Sequence, residues 1–257
     1  MTLASSPPRA TLYSVQYMRG AAALAVLAVH ALEPLHALYP VFTAPGLIVN
    51  LFFVISGFLL VIITNGETRP TAFMRDRVAR MVPLYWVATS ITLLILWPGI
   101  IYAVPFTVEE VIRSYLFIPS FHPTEPIIRP VVPQGWTLNL EMLYYSIFAL
   151  ALFLPRRWQV PAVTAILVPA GLIGMIFQPA SPIPYQWTMP IGFDFVAGMW
   201  IGVAWAAGRN LWPTMWWIFL GTLCFALFAW ATKLPFDDRS LPYGMFLVTP
   251  IFVWALV

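Results

Sequence analysis

VQYMRGAAALAVLAVHAL, residues 15–32, is apolar over nearly the length of a membrane crossing, yet it keeps an arginine and a histidine. A helix needs about 20 apolar residues to cross the hydrocarbon core, and an arginine near its centre costs on the order of 3 kcal/mol to insert. Arg19 and His30 are eleven residues apart. At about 100° and 1.5 Å per residue, that spacing leaves the two side chains about 20° apart around the axis and roughly 16 Å apart along it. One face of the first span carries both, with Glu33 a turn further on at i+3. The segment reads as a candidate site as well as an anchor.

Working outward, the rest of the chain has the same character. Of its 257 residues, 61% are hydrophobic and 9% charged, and the mean hydropathy is +0.83. A soluble domain carries about 25% charged residues, so the composition points to an integral membrane protein. Twelve tryptophans, ten tyrosines and nineteen phenylalanines fit aromatic belts at the two interfaces. Twenty-five prolines fit broken helices and short rigid loops. The net charge of +3 is the ordinary excess of basic cytoplasmic loops, so no nucleic-acid partner is expected. Cys224 is the only cysteine, which excludes an intrachain disulfide and a cysteine metal cluster. Arg9 and Arg19 before an apolar run resemble a secretory signal; because further spans follow, the segment is read as an uncleaved first span.

Apolar stretches of spanning length fall near 15–36, 46–64, 81–103, 135–154, 159–177, 187–207 and 211–232, and an eighth begins near Tyr243 and is still apolar at Val257. The expected fold is all-α, a polytopic transmembrane helix bundle of seven spans plus a partial eighth. With the N-terminus in the cytoplasm, the inner segments hold Arg9, Arg19, Arg69, Arg75, Arg77, Arg80, Arg156, Arg157 and Arg209, and the outer ones only Arg113, Arg129, Lys233 and Arg239. The positive-inside rule favours this orientation. The longest connection, about 104–134, then lies outside. TVEEVIRSYLFI, 107–118, has helical spacing and reads as a short interfacial helix. PSFHPTEPIIRPVVPQG, 119–135, has too many prolines for a helix and reads as an ordered loop.

Beyond the first span, three stretches carry candidate chemistry. In RDRVAR, 75–80, Arg77 and Arg80 stand at i, i+3 and form a two-pronged anion site on a helix; simple membrane topology explains the same charges. In NLFFVISGFLL, 50–60, Ser56 and Gly57 interrupt a bulky run, either for close helix packing or to let a ligand reach the backbone. In QGWTLNLEMLYY, 134–145, Glu141 is an acid inside a span, with Asn139 two residues earlier; it calls for a partner or an aqueous cavity. Asp194, in IGFDFVAGMWIG, is a second such acid, for which a structural partner is expected. His30 itself reads as a neutral base or as a core histidine bonded to a neighbouring helix.

Together these motifs resemble acyltransferase family 3, a family of membrane-bound O-acyltransferases. The resemblance rests on Arg19 and His30 as R-x10-H, FFVISGFLL in the second span, Arg77 and Arg80 as R-x-x-R, and WTLNLE at 136–141, all in family order over about residues 13–155. The wording of VQYMRGAAAL, VPLYWVATS, SYLFIPSFHP and GWTLNLEMLYYSIFAL is most similar to the exopolysaccharide-production branch. That resemblance implies transfer of an acetyl group from acetyl-CoA to a polysaccharide or lipid-linked oligosaccharide acceptor in the bacterial cytoplasmic membrane, with membrane lipids around the bundle. Members usually have about ten spans of ~20 residues, so this single domain, 1–257, is expected to be truncated at its C-terminus.

The implied roles follow. Arg77 and Arg80, with Arg19, hold the phosphate-bearing end of the donor. The pantetheine arm runs toward His30, which acts as general base or accepts the acetyl group first. Glu141 and Asn139 position the reacting groups, and backbone at Ser56 and Gly57 approaches the thioester. Two other readings share these residues: succinyl transfer to a periplasmic glucan, and a transporter of a sugar or acyl carrier built on discontinuous helices.

Overall fold

A computed structural model describes residues 9–31, 45–96, 106–122, 127–210 and 213. The expected spans at 211–232 and from Tyr243, together with Glu33 and Cys224, lie outside the described residues. What is described is helical: α1 (Arg9–Ala31), α2 (Pro45–Ile63), α3 (Pro70–Leu96), α4 (Val108–Tyr115), α5 (Gly135–Ala151), α6 (Arg156–Phe177), α7 (Pro182–Trp187) and α8 (Gly192–Ala206). Among the described residues the one extended pairing is an isolated antiparallel bridge, Phe121 with Ile128, within the proline-rich loop. Pro70–Ile95, Arg156–Phe177 and the stretch Pro182–Ala206 are long and apolar enough to cross a membrane. The protein is therefore a helical membrane protein.

Local chemistry sets where these helices begin and end. Thr107 and Glu110 close a capping box at the start of α4, the Thr107 side chain accepting from the Glu110 N–H while the Glu110 carboxylate accepts from the Thr107 N–H. Pro182 occupies the first turn of α7, where its missing N–H costs nothing, and α6 ends on Gln178 in the left-handed region at φ 44°. Two boundaries differ from the hydropathy reading. α3 begins at Pro70, well before the apolar run at 81, so the RDRVAR segment is helical. Charged side chains do not end a helix; a proline at the first position starts one. The apolar stretch near 187–207 is interrupted at Thr188–Ile191, beside Pro190, which cannot donate to the preceding turn.

The helices fall into two units. In the first, α2 packs along α8 and beside α1, around Val15, Val54, Ile55, Phe58 and Ile201. Glycines make this approach possible: a Cβ at Gly57 would overlap the Phe195 carbonyl, and one at Gly198 would overlap the Val54 carbonyl. In the second unit, α5 packs against α3, α6 and α7, with α4 laid on α3. Tyr85 of α3 ties these pieces together. Its hydroxyl bonds the Ser114 hydroxyl of α4 at 2.9 Å, its ring lies 4.8 Å from that of Phe117, and it fills the space left by Gly135 at the start of α5. Ser114 also accepts from the Val131 N–H at 3.3 Å, so one buried tyrosine–serine pair ties the proline-rich loop to α3 and α4.

Candidate functional site

α1 is one continuous helix through residues 19 and 30, so the face inferred from the spacing exists in the fold. Val15 and Ala22 of that helix are buried and Arg19 is half-buried. Positions 15, 19 and 22 make one stripe, and position 30 lies about 20° from position 19 around the axis. The His30 side chain itself lies outside the described residues.

In the second unit, α3 and α5 bring Arg77 and Glu141 into one cluster. The Arg77 guanidinium lies over the ring of Phe73, one turn back on its own helix, at 5.2 Å, and over the ring of Tyr145 of α5 at 5.4 Å. The Tyr145 hydroxyl in turn donates to the Glu141 carboxylate. Phe73 also meets Phe148 at 5.5 Å, so the cation rests on a packed aromatic floor, an arrangement that suits the weakly hydrated face of a guanidinium. Arg77 is half-buried, and among the described residues its Nε has no hydrogen-bond partner. Glu141, Tyr145 and the like charge of Arg80 all act on it electrostatically. Arg80 is exposed, which leaves the two prongs of the R-x-x-R pair unequal: one seated against aromatic rings, one in the open.

Asn139 faces elsewhere. Two residues before Glu141, it lies about 200° away around α5, so the two polar groups of WTLNLE serve different sides of the helix. Asn139 is 3% exposed; its amide donates to the Gln186 side-chain oxygen of α7 at 3.5 Å, and the Gln186 amide donates to the Trp136 carbonyl at 2.6 Å. The Asn139 Oδ1 is buried with no partner among the described residues. In the first unit, the room at Gly57 is taken by the α8 backbone, which is the close-packing reading of that pair; Ser56 beside it is half-buried. Asp194 is fully buried on the first turn of α8. Its Oδ1 has no hydrogen-bond partner among the described residues, where a structural partner was expected.

Sequence reasoning missed Tyr145, Phe73 and Gln186. Tyr145 had a signal, since it follows Glu141 by four residues and so stands on its face of a helix. Gln186 had none, because its partners lie 47 and 50 residues away in the chain. No metal-binding group of three or more His, Cys, Asp or Glu occurs among the described residues.

The chain is similar to the exopolysaccharide production protein ExoZ of Rhizobium meliloti (strain 1021), with 38% identity over 169 residues, 65% of this chain and 53% of that protein. It is also similar to the acyltransferase MdmB of Streptomyces mycarofaciens, with 29% identity over 162 residues, 59% of this chain and 42% of that protein. It thus spans about half the length of the curated relatives it matches. No solved structure matches it. The profile of the acyltransferase domain family Acyl_transf_3 matches residues 12–257, through the arginine–histidine helix, the R-x-x-R helix and the WTLNLE helix alike, and the chain belongs to that family.

Proposed function

We propose that the protein is an integral membrane O-acyltransferase that moves an acetyl group from cytoplasmic acetyl-CoA to a hydroxyl of an exopolysaccharide or of its lipid-linked precursor. The observation that carries this reading is Arg77. In a chain of an acyltransferase family, a half-buried guanidinium rests on two aromatic rings with its Nε unpaired among the described residues. A guanidinium held in that way suits phosphate oxygens, which it binds through a planar fork of donors. Coenzyme A presents such oxygens at one end and the thioester at the other. The name of the Rhizobium relative supports an exopolysaccharide as the acceptor.

In this reading Arg77, Arg80 and Arg19, the basic residues of the family motifs, are the groups that hold the phosphates. The roughly 16 Å from position 19 to position 30 matches an extended pantetheine arm. His30 takes the proton of the acceptor hydroxyl as that oxygen attacks the thioester carbonyl. The carbon–sulfur bond breaks, and the departing thiolate recovers the proton from the imidazolium. Transfer of the acetyl group to the imidazole first, and then to the hydroxyl, uses the same residue. Glu141 orients the reacting groups, and Asn139, on the opposite side of α5, bonds Gln186 of α7. The excess of basic residues in the segments assigned to the inside supports a bacterial cytoplasmic membrane location with the N-terminus in the cytoplasm.

The test is acyl-ester analysis of polysaccharide from the native host carrying His30→Ala. Loss of a general base lowers the rate by about 10²- to 10⁴-fold, so acetyl esters are expected to fall below a few per cent of wild type. Undiminished acetylation at normal protein levels removes His30 from the mechanism. Succinyl esters in the wild type, in place of acetyl, would change the donor and leave the site intact.

A further inference from the structure

Between Arg77 and Glu141 stands a tyrosine. The Tyr145 ring lies over the guanidinium at 5.4 Å, and its hydroxyl bridges the two charges, donating to the Glu141 carboxylate and accepting from the Arg77 side chain. Arg77 therefore has an opposite charge close by, in the same unit, and among the described residues it forms no ion pair. Physical chemistry favours the opposite outcome. In a poorly hydrated place a guanidinium and a carboxylate attract strongly, and the bidentate pair is the geometry in which the guanidinium bonds best. A direct pair would fill the planar edge of Arg77 with a protein group and leave no room there for a ligand anion.

We infer that Tyr145 is a positioning residue: by bonding Glu141 and stacking on Arg77, it holds the two charges apart and keeps the guanidinium edge open for an anionic ligand. The identity of that ligand, a phosphate of coenzyme A, rests on the function proposed above. Removing only the hydroxyl unmasks the device. Tyr145→Phe retains the ring, and with it the ring contacts to Arg77 and to Phe73 at 6.2 Å, while the hydroxyl's hydrogen bonds to Glu141 and Arg77 are lost. Glu141 loses a hydrogen-bond donor and closes on Arg77, so phosphate must compete with a tethered carboxylate. Glu141→Gln in the same chain removes that competitor, because an amide carries no charge to pair with.

The experiment is calorimetric titration of the purified full chain in lipid nanodiscs with coenzyme A, repeated with adenosine 3′,5′-bisphosphate. Four proteins are compared: wild type, Tyr145→Phe, Glu141→Gln and the double variant. Tyr145→Phe is expected to weaken both ligands about tenfold or more, the scale of one charged hydrogen bond. The double variant is expected to bind within about threefold of Glu141→Gln, whatever the affinity of that single variant. A purely structural tyrosine would weaken binding whatever stood at 141, so a double variant weaker than Glu141→Gln by the factor that separates Tyr145→Phe from wild type overturns the inference. Wild-type affinity in Tyr145→Phe overturns it too, while the donor site stands. Absence of binding in the wild type overturns the donor site and this inference together.

Discussion

The same substitution, glycine to alanine, should have opposite effects at Gly198 and Gly20. At Gly198 the added methyl would overlap the Val54 carbonyl oxygen and stand 2.8 Å from the Val54 carbonyl carbon and 3.0 Å from the Phe58 nitrogen. All three are backbone atoms of α2, so no side chain can swing aside. Relief requires α2 and α8 to part by on the order of an ångström, and a gap of that size forfeits roughly a quarter to a half of each dispersion contact it opens. The contacts at risk are those of Val54, Ile55, Phe58 and Ile201, with the Phe58 and Trp205 rings at 5.7 Å. Overpacking typically costs about 1–3 kcal/mol, and a backbone obstacle puts Gly198→Ala toward the upper end. At Gly20, inside α1, nothing lies within 4 Å of the new methyl. There alanine only removes the conformational freedom of glycine from the unfolded chain, a gain of roughly 0.5–1 kcal/mol. Unfolding by dodecyl sulfate, followed by circular dichroism in mixed micelles, reads both. Equal destabilisation of the two variants, or a Gly198→Ala protein as stable as wild type, would refute the packing argument. Gly57→Ala should act like Gly198→Ala, and the two should combine less than additively, because one separation of the helices relieves both.

Two further outcomes test the second unit. Tyr85→Phe should cost about 1–2 kcal/mol in the same assay, because it strips a buried hydrogen bond from Ser114; it should also speed amide exchange at Val131, whose N–H depends on that serine. Unchanged exchange there would mean the loop is held by other contacts. Thr107→Ala should break the capping box of α4, at about 1 kcal/mol of local helix stability. Faster exchange confined to residues 108–111, with the global unfolding midpoint unmoved, is the expected result, and a shifted midpoint would mean that α4 unfolds with the bundle.

Much of the helical framework was legible from local chemistry. Helices stand where the apolar runs near 46–64, 135–154 and 159–177 were read, and TVEEVIRSYLFI is helical as its spacing predicts, because each depends on residues a few positions apart. The start of α3 was not legible from hydropathy, which sees the charges of RDRVAR and not the proline at position 70 that begins the helix. At the candidate site, Arg77 was visible as half of a basic pair at i, i+3 and Glu141 as an acid inside an apolar span. The tyrosine between them was not, since a tyrosine is ordinary in a membrane helix and its use depends on what α3 sets against it. Asn139 and Glu141 appeared as one cluster because they are neighbours in sequence, and the helix sends them to different sides.

The sequence by itself determined that this is a helical membrane protein of an acyltransferase family, and it placed Arg19 and His30 on one face of one helix, because helical periodicity is a property of spacing along the chain. Tertiary structure alone decided what meets those faces: the α8 backbone in the space at Gly57, Gln186 against Asn139, and Tyr145 between a cation and an acid. The contacts that cross between helices join residues tens or more than a hundred positions apart. Which of them form is settled by how whole helices pack, and no local pattern records it.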